Sequence, residues 1–413
     1  LPNFLEERGV LSISKYLFIF ALHFYPKIEI NKHTPFTYSS PLNMKTLEAT
    51  PTAKMQQNTN SIFEKVSQMG HEQVVFCHDA ETGLKAIIGV HNTILGPALG
   101  GTRMWHYASE AEALNDVLRL SRGMTFKNSI AGLNLGGGKA VIIGDARKHK
   151  TEALLRAFGK FVENLNGKYV TAEDVGMTSS DMEHIAVETK SVCGMPETRG
   201  GLGDPSPFTA YGTYLSMKAA AKKLYGSDSL AGKKVAVQGV GHVGTYLIEY
   251  LLKENCTIYA SDFYEDRLAA VVSKYKINPV GKEEIYDLDV DIYSPCALGA
   301  TINDDTLPRL KCQIICGAAN NQLAEEKKHG DACLKQGILY APDFLVNAGG
   351  VTNVYAEFIG TNKDWTKAKV ETLYDQTYKV LDISLTEKRN AQEVAMEIAL
   401  KRIEAMAKVK VRY

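Results

Sequence analysis

The segment that most constrains this chain runs from Lys234 to Gly244. Lys234 to Gln238 (KVAVQ) reads as a strand, and Gly239-Val240-Gly241-His242-Val243-Gly244 follows it directly. Leu247, Tyr250 and Leu251 then recur at helical spacing. A lone G-x-G-x-x-G carries little weight. Between a strand and a helix it has a mechanism: Gly239 makes the tight turn, Gly241 lets backbone approach a pyrophosphate, and Gly244 permits close helix–strand packing. The helix N-terminus offers free N–H groups to the phosphates. Asp262 ends the next strand, about 20 residues on, where a carboxylate accepts bonds from ribose hydroxyls. It would repel the extra phosphate of NADP, so the expected cofactor is NAD. Arg267 lies in the following helix and is a poor candidate for reversing that choice.

The pattern continues as strand, turn and helix. Thr257 to Ser261, Asp291 to Ser294, Gln313 to Cys316 and Gly337 to Tyr340 read as further short strands, and the alternation predicts a parallel, doubly wound α/β sheet. Arg199 to Pro207 (RGGLGDPSP) is a break rich in Gly and Pro, followed by a helix over about Phe208 to Tyr225 that stops at Gly226. The domain boundary belongs at this break. Upstream, Ser109 and Glu112 form a capping box for a helix through Leu114, Val117, Leu118 and Ser121. A second amphipathic helix carries Leu154, Leu155, Phe158, Phe161, Val162 and Leu165, with the strand Ala140 to Ile143 between them. The tail from Asp364 to Lys408 reads as two helices. The expected domains are 44–198, joined by a C-terminal helix at about 388–413, and 199–387. Residues 1–43 are expected to be a disordered extension or a mis-called start, with Met44 and Met55 as candidate starts.

Composition narrows the function classes. Lys+Arg and Asp+Glu are both 47 in 413 residues, so no basic surface is available in bulk for nucleic acid or an anionic membrane. The apolar run Tyr16 to Tyr25 is too short to span a bilayer. The seven cysteines are scattered; Cys312 and Cys316 are the closest pair, and no second pair or nearby His completes a zinc site. They read as buried, reduced thiols of a cytoplasmic enzyme, with no metal centre expected.

Two segments place lysines amid residues that are usually buried: Gly123 to Asn128 (GMTFKN) and Leu135 to Ala140 (LGGGKA). A glycine-rich turn before a buried strand would hold Lys139 in a cleft. Two neighbouring, partly desolvated ammonium groups lower each other's proton affinity, so one can serve as a base near neutral pH. Spacing alone equally allows two exposed lysines on loops. Asp174, in Thr171 to Gly176 (TAEDVG), can relay protons to such a lysine or simply cap a helix.

Taken together, the segments resemble the glutamate/leucine/phenylalanine/valine dehydrogenase family from about Asn60 to the C-terminal helices. GPALGGTRMW (Gly96 to Trp105), GMTFKN, LNLGGGKA, TAEDVG, GDPSP, GVGHVG, SPCALGA (Ser294 to Ala300), GAANNQL (Gly317 to Leu323) and NAGGV (Asn347 to Val351) occur in family order. The segment after Ser384 matches less well. The resemblance implies an N-terminal α/β substrate and oligomerisation domain, a Rossmann-type NAD-binding domain, and an active-site cleft between them. It implies reversible, NAD-dependent oxidation of an L-amino acid to a 2-oxo acid and ammonia by a homo-oligomer, often an octamer. Lys127 resembles the lysine that binds the substrate carboxylate, Lys139 the one that activates water, and Asp174 the proton shuttle. Gly100 and Gly101 would let backbone approach the substrate. Asn320 and Asn347 would lie near the nicotinamide and its ribose.

Glutamate-oxidising members carry a lysine where this chain has Leu99. A glutamate side chain buried against Leu99 would be unpaired. Met124, Ala172, Val351 and Val354 are expected to complete an apolar pocket for leucine, isoleucine or valine. Phenylalanine- or valine-oxidising enzymes of the same family remain the alternative. A non-catalytic NAD-binding protein is a more distant one, since binding NAD requires none of Lys127, Lys139 and Asp174.

Overall fold

The computed structural model describes residues 61–297 and 299–409. The expected extension at 1–43 lies outside them. In the first half, helix α1 (Ile62–Met69) precedes strands β1 (Gln73–Asp79) and β2 (Leu84–Asn92), short strands β3 (Ala98–Leu99) and β4 (Thr102–Trp105), and helix α2 (Glu110–Ile130). Strand β5 (Gly136–Ile143), helix α3 (Glu152–Glu163), strand β6 (Tyr169–Val170) and helix α4 (Ser179–Ala186) follow. Their sheet has the order β1-β2-β5-β3-β6, with β4 also on β5; β1, β2 and β5 are antiparallel neighbours and the remaining pairs are parallel. Leu154, Leu155 and Phe158 of α3 and Ile185 of α4 bury one face. Leu114, Val117 and Leu118 of α2 cover the other.

The glycine triplet is not the turn expected from its composition. Gly136, Gly137 and Gly138 are the first residues of β5, buried in mid-sheet. A Cβ on Gly136 would collide with the Asn92 carbonyl, one on Gly137 with Thr125 of α2, and one on Gly138 would lie 2.7 Å from the Tyr169 ring. The glycines thus allow helix and strand to close on β5. They put Lys139 inside the strand, on the face turned to α2. The helix from Ser109 also runs on to Ile130, so Lys127 stands in its last turn. Only half of the expected capping box forms. Ser109 Oγ accepts from Glu112 N–H, whereas the Glu112 carboxylate accepts from Ala108 N–H. A full box forms instead at Thr178 and Asp181, ahead of α4.

In the second half, α5 (Ser206–Tyr225) leads to β7 (Lys234–Gln238), α6 (His242–Lys253), β8 (Thr257–Ser261), α7 (Glu265–Tyr275), β9 (Asn278–Pro279), β10 (Ile292–Pro295), β11 (Ile314–Ile315), α8 (Glu326–Lys335) and β12 (Leu339–Tyr340). The sheet is wholly parallel, in the order β12-β11-β10-β7-β8-β9. The strand order reverses between β7 and β10, with β8 and β9 laid to one side and β10 to β12 to the other, and the crevice beyond their carboxyl ends is where open α/β sheets bind ligands.

Helices α9 (Asp343–Val346), α10 (Gly349–Phe358), α11 (Lys363–Glu371), α12 (Leu373–Glu387) and α13 (Ala391–Ala407) complete the fold. From Lys363 onward there are three helices, not two. The extra break falls at Thr372, whose hydroxyl donates to the Lys369 carbonyl at 2.7 Å. Helix α13 packs on α2: Ser129 Oγ donates to the Ala399 carbonyl, and Arg402 donates to the carbonyls of Ser129 and Leu133. Among the described residues, no helix is long and apolar enough to cross a membrane.

Candidate active site

One face of α2 supplies Leu120, Met124 and Lys127, spaced four and three residues apart, to a cavity of about 200 Å³ between the two sheets. Lys139 enters from β5 and Leu99 from β3. Asp174 and Ala172 enter from the loop after β6, and Val351 and Val354 from α10. Leu99 is 2 % exposed, so the cavity wall is also domain core.

The Asp174 loop is fixed by its backbone. Thr102 N–H donates to the Ala172 carbonyl at 2.8 Å and Met104 N–H to the Val175 carbonyl at 2.9 Å, so the loop extends along β4. Lys150 braces the far end, donating to the Gly176 carbonyl and to Asp181. Asp174 therefore faces Lys139, and Lys139 Nζ lies 3.0 Å from Asp174 Oδ2. Arg103 Nε donates to the same oxygen at 3.0 Å. Burial opposes ionisation of Asp174, but the Lys139 and Arg103 cations outweigh it and hold the carboxyl below its ordinary range.

Lys127 Nζ donates to Asn320 Oδ1 at 2.8 Å. Desolvation among the cavity walls lowers the Lys127 ammonium to about 8, with Lys139 acting the same way and the Asp343 and Asp174 carboxylates opposing. Burial raises the Asp343 carboxyl above its usual range. Asn320 lines the cavity; Asn347 stands behind it and donates to Asn320 Oδ1 at 2.9 Å. Gly101 lines the cavity, packed against the Glu173 carbonyl, whereas Gly100 lies beneath, against the Gly138 carbonyl.

The glycine loop stands at the switch point. Gly239 has φ 101°, and a Cβ there would lie 2.6 Å from that of Ala297, which follows β10. Gly241 caps α6 with no side-chain bond, and the nearest atom to a Cβ on it is Arg267 Nη1 at 4.0 Å. This leaves open space before unshared N–H groups, which suits a pyrophosphate. Gly244 sits tightly on the Gly239 carbonyl, while Val240, His242 and Val243 complete the loop and first turn. Asp262 is buried, accepting from Val240 N–H at 2.8 Å and Tyr264 N–H at 2.9 Å, and each carboxylate oxygen keeps a lone pair for a ribose hydroxyl. Arg267 comes closer than its place in a helix suggests. It leans toward the α7 N-terminus, 3.6 Å from Asp262 Oδ1, and spends its charge there.

Arg103, Asp116, Asp343 and Glu173 were not among the expected site residues. Asp116 was within reach of the sequence, because Asp116, Leu120, Met124 and Lys127 share one helical stripe. Asp343 carried no local signal. Away from the cleft, Asp304, Glu325 and His329 cluster, with Lys328 bonded to both carboxylates.

Residues 71–191 match the family model described as Glu/Leu/Phe/Val dehydrogenase, dimerisation domain, and residues 200–265 and 262–410 match Glutamate/Leucine/Phenylalanine/Valine dehydrogenase. The chain is 52 % identical to a leucine dehydrogenase of Thermoactinomyces intermedius, over 84 % of this chain and 95 % of that one. Identity to a phenylalanine dehydrogenase of Caldalkalibacillus thermarum is 45 %, over 84 % and 94 %. The crystal structure of L-tryptophan dehydrogenase from Nostoc punctiforme superposes with a TM-score of 0.73 at 43 % identity, covering 84 % of this chain and all of that one.

Proposed function

Because this chain belongs to the glutamate/leucine/phenylalanine/valine dehydrogenase family, we propose that it oxidises L-leucine and other branched-chain L-amino acids with NAD, reversibly, to 2-oxo acids and ammonia. The observation that carries this reading is the convergence of Lys127, Lys139 and Asp174 on one cavity whose other walls include Leu99, Met124, Ala172, Val351 and Val354. The identity to leucine dehydrogenases exceeds that to phenylalanine dehydrogenases, which supports the branched-chain choice.

The glycine loop, the α6 N-terminus and Asp262 would hold NAD, with Asn320 and Asn347 toward its nicotinamide end. When bound, nicotinamide supplies the hydride acceptor for the amino acid Cα. Lys127 pairs with the substrate carboxylate and fixes the Cα. Asp174 takes a proton from the amino group, and later returns one to the departing ammonia. Lys139 orients the water that attacks the oxidised carbon and stabilises the oxygen that becomes the 2-oxo group. Gly101 keeps backbone close to the substrate, with Gly100 packed below it. The apolar wall takes the side chain without leaving a charge unpaired. Closure about residues 199–207 would exclude water from the oxidation step.

The same reading places the domain boundary at the 199–207 break, with α13 returned to the first domain, and makes the protein a cytoplasmic homo-oligomer. Its match to a dimerisation domain supports assembly, and sedimentation would show whether an octamer forms.

The test is NADH formation at alkaline pH with leucine, isoleucine, valine, phenylalanine and glutamate in parallel. Branched-chain substrates should lead by more than about tenfold. A lead for phenylalanine would overturn the pocket reading alone. NAD binding with no substrate oxidised would overturn the reaction.

A further inference from the structure

Two cations meet Asp174 at a single oxygen. Lys139 Nζ and Arg103 Nε both lie 3.0 Å from Oδ2, and no described residue bonds Oδ1. Arg103 is itself held from behind. Its Nη1 donates to Asp116 Oδ2 at 3.0 Å, and Tyr107 donates its hydroxyl to that oxygen at 2.7 Å. The chain of contacts thus runs from the loop before α2, through α2 and β4, to the Asp174 loop. Strand alternation sets its geometry. On β4, Thr102 and Met104 point into the core, which turns Arg103 to the cleft face.

We propose that Arg103 is a positioning residue for the deamination reaction, fixing the Asp174 carboxylate through Oδ2 from its anchor on Asp116 and reserving Oδ1 for the substrate amino group. This rests on the function proposed above. The Nε and Nη1 donors lie fixed in one plane and set the two carboxylates at a defined angle, whereas an ammonium is a rotatable point charge on a flexible stem. Arg103 also provides a permanent positive charge beside a pair that must exchange protons. The other charged groups at this cavity are Lys127 and Arg119 on α2, Glu173 beside Asp174, and Asp343 across the cleft. None of these bonds Asp174.

Removing a fixed positive charge makes each protonation of the Lys139–Asp174 pair easier, so both apparent pKa values of the pair must rise. The experiment measures kcat and kcat/KM for leucine against pH in the wild type, Arg103→Gln and Arg103→Lys, with melting temperatures as a control on folding. Arg103→Gln should lose about 10- to 100-fold in kcat and shift its profile about one unit toward alkaline pH. KM should change far less than kcat. Arg103→Lys keeps the charge, so its profile should return toward the wild type while kcat stays reduced. If the wild type oxidises leucine and the Arg103→Gln profile superimposes on it, the positioning role falls and the proposed function stands. A lowered melting temperature with unchanged pH dependence would likewise overturn it, since packing would explain the defect. If the wild type oxidises no amino acid, both inferences fall together.

Discussion

Lys127 Nζ and Asn320 Oδ1 are 2.8 Å apart, although 193 positions separate the residues in the chain. The bond joins the last turn of α2 to the loop after β11 and spans the cleft. In the proposed reaction, a substrate carboxylate seated on Lys127 would compete for the same ammonium. Asn320→Ala frees that donor but removes a polar wall, so its effects on KM and kcat should diverge. Leucine KM should change by less than about threefold, while kcat falls about tenfold or more through lost orientation. Steady-state kinetics on the variant would check this, and an unchanged kcat would argue against any role in orientation.

The pH dependence of binding follows from Lys127. Its ammonium is lowered to about 8, chiefly by desolvation. Below that pH the free protein presents a charged partner for a carboxylate; above it the partner becomes neutral. The dissociation constant for a non-reactive 2-oxo-acid or carboxylate analogue should therefore be flat up to about pH 8 and rise beyond it. Calorimetric titration across the range would test the sign. Lys127→Gln should weaken binding throughout and remove the bend.

Much of this site could be read from sequence, for reasons that differ by residue. The strand from Lys234 to Gln238 has the predicted limits because Gly232 and Gly239 punctuate it on both sides. Lys127, Lys139 and Asp174 each sat in a segment of unusual composition. The error at Gly136 to Gly138 was conformational: glycines usually mark turns, but here they answer to neighbours far away in the chain, Asn92, Thr125 and Tyr169. No local rule reveals that. Arg103 was overlooked because a lone arginine in a short strand is ordinary, and its meaning depends on Asp116 and Asp174 reaching it. Asp343 lacks even that signal.

Leu99 makes a substrate-range prediction. It is both cavity wall and core, so Leu99→Ala should lower stability by about 2–5 kcal/mol and enlarge the pocket. The ratio of phenylalanine to leucine kcat/KM should then rise about tenfold or more, since one methylene is worth ~1–3 kcal/mol in such a pocket. Using the ratio cancels the fraction of protein unfolded. An unchanged ratio would mean that Leu99 does not meet the substrate side chain.

Glu357 ties the interdomain connection to the cavity wall. Its Oε1 accepts from Gly194 N–H at 2.9 Å and Met195 N–H at 3.1 Å, and its Oε2 from Leu202 N–H at 3.2 Å. Glu357 belongs to α10, which also carries Val351 and Val354. Glu357→Gln keeps the shape but turns an NH2 group toward one of these donors. A loss of about 1–3 kcal/mol is expected, seen as a lower melting temperature and faster proteolysis within residues 194–202. Unchanged proteolysis would show that the connection is held elsewhere.

A half-buried histidine pair should govern acid stability. His71 and His91 have ring centroids 4.8 Å apart; His71 Nε2 bonds Ser121 Oγ, and His91 Nδ1 bonds Thr125 Oγ1. Both hydroxyls belong to α2, two turns or less from Lys127. Burial lowers each imidazole to about 4, and the proximity of the two adds to the effect on His71. An unfolded histidine titrates near 6.5, so below that pH the unfolded chain binds protons that the folded one refuses. Stability is therefore expected to be full above about pH 6.5 and to fall as pH drops toward 4, by a few kcal/mol for the pair. Thermal melts between pH 7.5 and 4.5 measure this directly. In His91→Gln the loss with falling pH should be at least halved, because one titrating group and its repulsion of the other are both removed. A variant that melts with the wild-type pH dependence would place the acid sensitivity in other groups.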